Sequence, residues 1–134
     1  MTAIVVTAAN VARNMDTKTR SYIAAETITA GQAVYKLAAG TVGVADANAS
    51  GKQQYRGIAI NGGAAGTPIM VAYFGSVDGF TLAGDVDTLV YLSDTAGGLD
   101  TAAGTMTVPV GRVDMRDDGT KFLFTDVNWL AAWS

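Results

Sequence analysis

Residues 27–75 of this chain are written a second time, loosely, as residues 80–127. The first copy reads AGQAVYKL, a Gly/Ala/Ser-rich stretch, YRGIAI and GTPIMVAYF; the second reads AGDVDTLVYLS, a Gly/Ala/Thr-rich stretch, VPVGRVDM and GTKFLFTDV. Gly31 falls on Gly84, Tyr35 on Tyr91 and Thr67 on Thr120. Two copies are fewer than a solenoid array needs, so the units are expected to pair within one domain, each covering the apolar face that the other cannot close alone. With 134 residues the chain is long enough for one such domain and a real core.

Each copy reads as β. Gly makes up 16 of the 134 residues, Pro only two, and the one glutamate, Glu26, leaves helices without their usual surface filler. Short apolar runs bounded by Gly, Asn, Asp or Thr predict strands at 3–7, 21–28, 32–37, 41–46, 56–60, 67–75, 79–82, 88–93, 106–115 and 120–127. The run 69–74 is apolar at every position, which predicts a strand covered on both faces. Asp118-Gly119 and Asn61-Gly62-Gly63 are turn signals that tolerate positive φ. In TVPVGRVDM the apolar parity switches between Val108/Val110 and Val113/Met115, so a β-bulge near Gly111 is expected, with Pro109 at an edge or at the bulge itself.

The fold expected is therefore all-β, a small β-barrel or sandwich built from two related units over residues 22–134. Both copies end in near-continuous apolar strands that can share one interior, which favours the barrel. Residues 1–21 are expected to form an N-terminal arm, because 8–21 (AANVARNMDTKTRS) is polar and weakly patterned. The tail NWLAAWS spaces Trp129 and Trp133 as on one helical turn, with Asn128 as its N-cap. These tryptophans either plug the end of the core or make a subunit contact, where Trp is enriched.

The composition removes whole classes of chemistry. Without cysteine there are no disulfides, thiolate zinc sites or thiol nucleophiles, and without histidine no Ser-His-Asp arrangement and no imidazole metal ligand. The carboxylate pairs Asp85/Asp87 and Asp117/Asp118 sit beside Gly in turn-like contexts, and Asp85/Asp87 lacks the further in-phase oxygens of a calcium loop. No GxxxxGK[ST] occurs, so phosphate cradling has no support. No catalytic, cofactor or metal residue is expected. No apolar run approaches the ~20 residues of a membrane span, and the opening lacks a signal-peptide layout, so cytosolic synthesis and no membrane partner are expected.

Charge is uneven. Residues 1–22 carry net +2, residues 23–75 net +1 and residues 76–134 net −6, for a total of −3. An acidic body with a mildly basic segment disfavours nucleic acid, which needs a concentrated basic patch. Ala3, Ile4, Val5, Val6 and Thr7 form a β-prone segment suited to joining a sheet edge, either of a partner or of this same domain. Arg13, Lys18 and Arg20 are candidates for meeting an acidic partner surface, or simply solvate the arm.

The order AGQAVYKL … GVADA … YRGIAINGGAAGTPIMVAYFGSV, covering about residues 22–127, resembles the small capsid decoration (cement) proteins of tailed bacteriophages. The resemblance implies a β-rich virion protein, often a homotrimer, made in the host cytoplasm. It would bind the major capsid protein on the capsid exterior at local threefold positions and brace the head against internal DNA pressure, with no small-molecule substrate. The alternative is a receptor- or glycan-binding domain of a phage tail or surface fibre, which exposed aromatics near acidic loops (Tyr55, Tyr73, Phe80, Tyr91) would favour.

Overall fold

A single long strand, β7 (Pro68–Asp78), organises the computed structural model, which describes residues 3–130, 132 and 133. The other strands are β1 (Ala3–Val6), β2 (Ala12–Arg13), β3 (Lys18–Ile23), β4 (Ala33–Lys36), β5 (Val42–Val44), β6 (Tyr55–Ala59), β8 (Phe80–Thr81), β9 (Leu89–Leu92), β10 (Leu99–Asp100), β11 (Pro109–Met115) and β12 (Lys121–Asp126). The chain is all-β, 45% strand, in a strongly curled antiparallel sheet that forms a half-barrel. The only helical element among the described residues is a 3-10 turn at Ala8–Asn10, and none of their helices is long and apolar enough to cross a membrane.

The strand order is β5-β4-β6-β7-β12-β11-β9-β10-β1-β8. Toward the middle it runs β5, β4, β6, β7 on one side and, inside β8 and β1, β10, β9, β11, β12 on the other. The strands of residues 27–75 and those of 80–127 thus take up matching places, and β7 meets β12 at the centre with Val77 opposite Leu123 and Phe74 opposite Asp126. Irregularities match as well. The register shifts between Val34 and Tyr35 on β4, leaving Arg56 of β6 extra, and between Pro109 and Gly111 on β11, leaving Val110 extra. Each extra residue precedes a glycine, Gly57 or Gly111, at the point of closest backbone approach: a Cβ on Gly111 would run into the Phe124 carbonyl. The bulge at Gly111 turns Val108, Val110 and Val113 to one buried face, while Met115 at the strand end stays 46% exposed.

Alternation along β7 explains two packed layers. Ile69 and Val71 face Ala24, Ile28, Val34, Val42, Val44 and Ala59. Ala72 and Val77 face a larger cluster that includes Ala33, Tyr55, Ile58, Val90, Leu92, Val110 and Leu123. The strand is buried over Val71–Ala72 and again over Gly75–Val77, whereas between them Tyr73 is half-buried and Phe74 is exposed. One buried hydrogen-bond relay crosses between the halves. Thr125 Oγ1 donates to the Val110 carbonyl at 2.8 Å, so the Tyr55 hydroxyl, 2.6 Å away, donates to Thr125 Oγ1.

Three expectations need correction. The segment expected to be a free arm lies on the sheet: β1 pairs with β10 and β8, β2 with β7, and β3 with β7 over Lys18–Ile23. Its polar look arises because β3 fully buries none of its side chains: Thr19 and Tyr22 are half-buried, and Lys18, Arg20, Ser21 and Ile23 are exposed. The expected C-terminal helical turn is absent among the described residues; 129–130 form an isolated turn, and Asn128 adopts φ +45°, unlike the extended backbone of an N-cap. Between β6 and β7 the left-handed residue is Gly66 rather than Gly62 or Gly63, while Asn61 ties the turn through its side chain, accepting from Met70 N–H at 2.7 Å.

Two stability predictions follow from these contacts. A Cβ on Gly57, at φ +142°, would strike the Val71 side chain and the Ala72 carbonyl, whereas one on Gly40, at φ +89°, meets nothing within 4 Å. Gly57→Ala is expected to lower the unfolding free energy by about 3 kcal/mol and Gly40→Ala by about 1 kcal/mol; urea titration of both variants decides, and equal losses would mean the β6–β7 approach relaxes freely. Burial raises the Tyr55 phenol well above its ordinary pKa, the bond to Thr125 opposes the shift and Asp126 adds to it. The folded chain therefore keeps this proton at pH values where the unfolded chain releases it. The resulting stability is complete below pH ~10 and declines above it by up to about 1.4 kcal/mol per pH unit. Tyr55→Phe should lose that part of the alkaline decline; an unchanged slope above pH ~10 in equilibrium unfolding would contradict the assignment.

Candidate functional site

Where β3, β7 and β12 run side by side, Lys18 lies opposite Phe74, and Phe74 lies opposite Asp126. Directly paired residues share a face, so a cation, an aromatic ring and a carboxylate stand abreast across three strands. Beyond β12 the chain is held by the Val127 N–H bond to Tyr73 O at 3.1 Å, then bends at Asn128, whose N–H donates to Asp126 Oδ1 at 3.2 Å. That bend lays Trp129 against Tyr73, with ring centroids 5.5 Å apart and tilted by 50°.

Cations gather over these rings. The Arg20 guanidinium sits 5.5 Å from the Tyr73 ring and 5.8 Å from Trp129, Arg56 sits 5.9 Å from Trp129, and Lys18 Nζ sits 5.7 Å from Phe74. Phe74 meets Phe124 edge to face at 5.2 Å. Lys18, Tyr73, Phe74, Asp126 and Trp129 enclose a depression of about 190 Å³. Trp129 remains 41% exposed and Phe74 36%, so the patch presents aromatic surface as well as charge. Cation–π pairs at exposed sites contribute roughly 0.5–1 kcal/mol each, enough to orient the guanidinium groups and too little to hold the fold.

The structure thus brings together Lys18, Arg20 and Trp129 from the expected residues. It sets Arg13 apart, on β2 opposite Val77, donating to Thr19 Oγ1 at 3.2 Å. Trp133 goes elsewhere and acts as a plug. It packs against the larger core cluster; its backbone N–H donates to Gln54 Oε1 at 2.9 Å, and its backbone carbonyl accepts from Gln53 and Gln54 at 3.0 and 2.8 Å. Arg56, Phe74 and Phe124 are not legible as site residues in the sequence, and Tyr73 enters there only among the aromatics of the glycan-binding alternative. Phe74 was hidden inside an apolar run, and Arg56 gains its place only because the bulge makes it the extra residue.

Ala3, Ile4 and Val5 line a second feature, an apolar trough of about 560 Å³ shared with Leu82, Ala83, Thr88 and Val113. Val5 is 63% exposed there, while Ile4 packs toward the core. Val6 reaches toward Gly31, and the Thr7 N–H donates to Gly79 O at 2.8 Å. The segment 3–7 is therefore the first strand of this domain, with its backbone already engaged.

The acidic pairs are in turns. Asp87 has φ +75°, and Asp118 accepts from the Thr120 N–H at 2.9 Å, a bond that holds its carboxyl below the usual range. Among the described residues no group of three His, Cys, Asp or Glu side chains is placed to hold a metal. Of the four aromatics that would serve a sugar-binding loop, Tyr55 is fully buried and Tyr73, Phe80 and Tyr91 are half-buried. The chain matches no protein-family model, no characterised protein and no solved structure.

The two tryptophans should separate in denaturation. Trp133→Ala, which unplugs the core, is expected to lower the unfolding free energy by about 2 kcal/mol. Trp129→Ala should change it by no more than about 0.5–1 kcal/mol. The reverse order of effects would exchange their roles.

Proposed function

We propose that this protein is a non-catalytic virion component that binds the exterior of a tailed-phage capsid and stabilises the head, as a multimer centred on a local threefold position. The reading starts from the resemblance of residues 22–127 to capsid decoration proteins. The observation that carries it furthest is the trough beside β1: Val5 is 63% exposed on a strand already paired with β10 and β8, next to Leu82 and Val113. Exposed apolar surface on a rigid, paired strand is what a partner protein covers. The duplicated sheet behind it, tied at β7, supplies a stiff body that loses little entropy on docking.

The mechanism is mass action. A ligand that binds the assembled shell and not its dissociated parts stabilises the shell by about 2.7 kcal/mol per site when present at 100 times its dissociation constant. Several copies joined at one symmetric position add avidity through effective concentration. The glycan-binding alternative is less well served, since the exposed Trp129 ring is already attended by Arg20 and Arg56.

Sedimentation of the purified chain with expanded, DNA-free heads tests the reading. Saturable co-sedimentation is expected, with Val5→Asp raising the half-saturation concentration about tenfold while leaving the melting temperature unchanged. No saturable binding to heads, with retention on host-cell glycans instead, would favour the fibre-domain alternative. Deleting residues 1–20 is not a clean test, because it removes β1, β2 and half of β3.

A further inference from the structure

We propose that the patch formed by Lys18, Arg20, Arg56, Phe74 and Trp129 is the docking site for the β11–β12 hairpin of a second copy of this chain. Two ion pairs occur among the described residues, Arg112–Asp87 and Arg116–Asp78, and none of the three patch cations belongs to either. Asp126 is the carboxylate lining the depression beside Lys18, and Arg56 donates to the Tyr55 carbonyl at 2.8 Å, a bond that leaves its charge unneutralised.

The hairpin has the opposite character. Asp114, Asp117 and Asp118 are exposed around the turn at Gly119, and Met115 beside them is 46% exposed. The basic residues of that half have partners within the chain, Arg112 through its surface ion pair with Asp87 at 3.8 Å. Arg116 reaches Asp78 at 2.9 Å and lies 4.8 Å from the Phe122 ring, and Lys121 Nζ donates to Gly84 O at 2.8 Å. Carboxylates with an exposed thioether therefore face outward, matching cations with exposed rings.

Within one chain the two surfaces cannot meet. The hairpin turn precedes β12 and Trp129 follows it, so the length of β12 separates them, about 17 Å at ~3.4 Å per residue. A symmetric face-to-face dimer would set like charge against like. A head-to-tail contact pairs unlike surfaces and repeats until the ring closes. This assignment is independent of the capsid reading, because it concerns the purified chain alone.

The test is sedimentation equilibrium of the full chain at about 20 mM and about 500 mM salt, which changes screening strongly. At low salt the average mass should exceed the 13.7 kDa monomer, and it should fall toward the monomer at high salt. Arg20→Glu with Arg56→Glu should weaken association about tenfold or more, as should Asp117→Lys with Asp118→Lys. An equal mixture of these two variants should reassociate, since each reversed surface then finds its complement on the other. Where a reversal unfolds the chain, Arg20→Gln with Arg56→Gln and Asp117→Asn with Asp118→Asn serve instead, each expected to weaken association. A chain that is monomeric at every salt concentration overturns the proposal. So does association untouched by both sets of substitutions, or a mixture of folded reversed variants that stays dissociated.

Discussion

The backbone of β7 is the constraint on which the rest of this molecule depends. Along one edge it pairs first with β6, through Val71 and Ala72, and then with β12, through Phe74 to Val77. The other edge is taken by β3 and then β2. Two related four-strand units, 33–59 with β7 and 89–126, thus share one ladder instead of meeting as separate domains. An eleven-residue strand with unpaired edges would be a template for aggregation; here the N-terminal segment closes it. A positive-φ glycine marks the handover from one partner to the next: Gly75 has φ +107°, and a Cβ there would strike the Asp16 carbonyl.

That sharing explains why so much of the interior is small and apolar. Ala33, Ala59 and Ala72 are fully buried, because strands covered on both faces leave little depth for large side chains where the backbones approach. Tyr55 is the largest of the fully buried side chains, and its hydroxyl is satisfied by Thr125, which in turn donates to Val110. One strand of the first unit is thereby tied through its side chain to two strands of the second. A polar link of this kind adds little net energy when complete and is expensive to break, so it enforces one registration of the two halves.

Function follows from what the shared ladder leaves outside. The N-terminal strands bring the positive charge of residues 13–20 against β7, while the second unit holds most of the carboxylates, so a chain of net charge −3 carries a strong internal charge separation. The aromatic–cationic patch and the acidic hairpin stand at the two ends of β12. Such a charge distribution sets orientation and encounter rate more than affinity. It suits a protein whose task is to sit in one orientation on a larger surface, the role proposed for this one.

Local pattern was enough to read the strands of the two repeats, the bulge at Gly111 and the Asp118-Gly119 turn, because alternation, parity breaks and turn residues are properties of neighbours in the chain. Tyr35 and Tyr91, matched by sequence, indeed stand at the two bulged crossings, opposite Tyr55 and Pro109. The strands β2 and β10, two residues each, and the pairing of β1 with 80–81 and 99–100 were not legible, since no short-range pattern encodes them. The separation of Trp129 from Trp133 was equally hidden, because it turns on the positive φ of Asn128 and on Gln53 and Gln54 far back in the chain. The amino-acid order by itself determined a duplicated β chain without histidine or cysteine, and hence the range of chemistry open to it. Only the tertiary structure decided that the polar N-terminal segment is a set of sheet strands, and that Lys18, Arg56, Phe74 and Trp129 form one surface. The reason is physical: long-range backbone pairing forms only when the whole sheet closes, and it is that closure which chooses the neighbours of each exposed side chain.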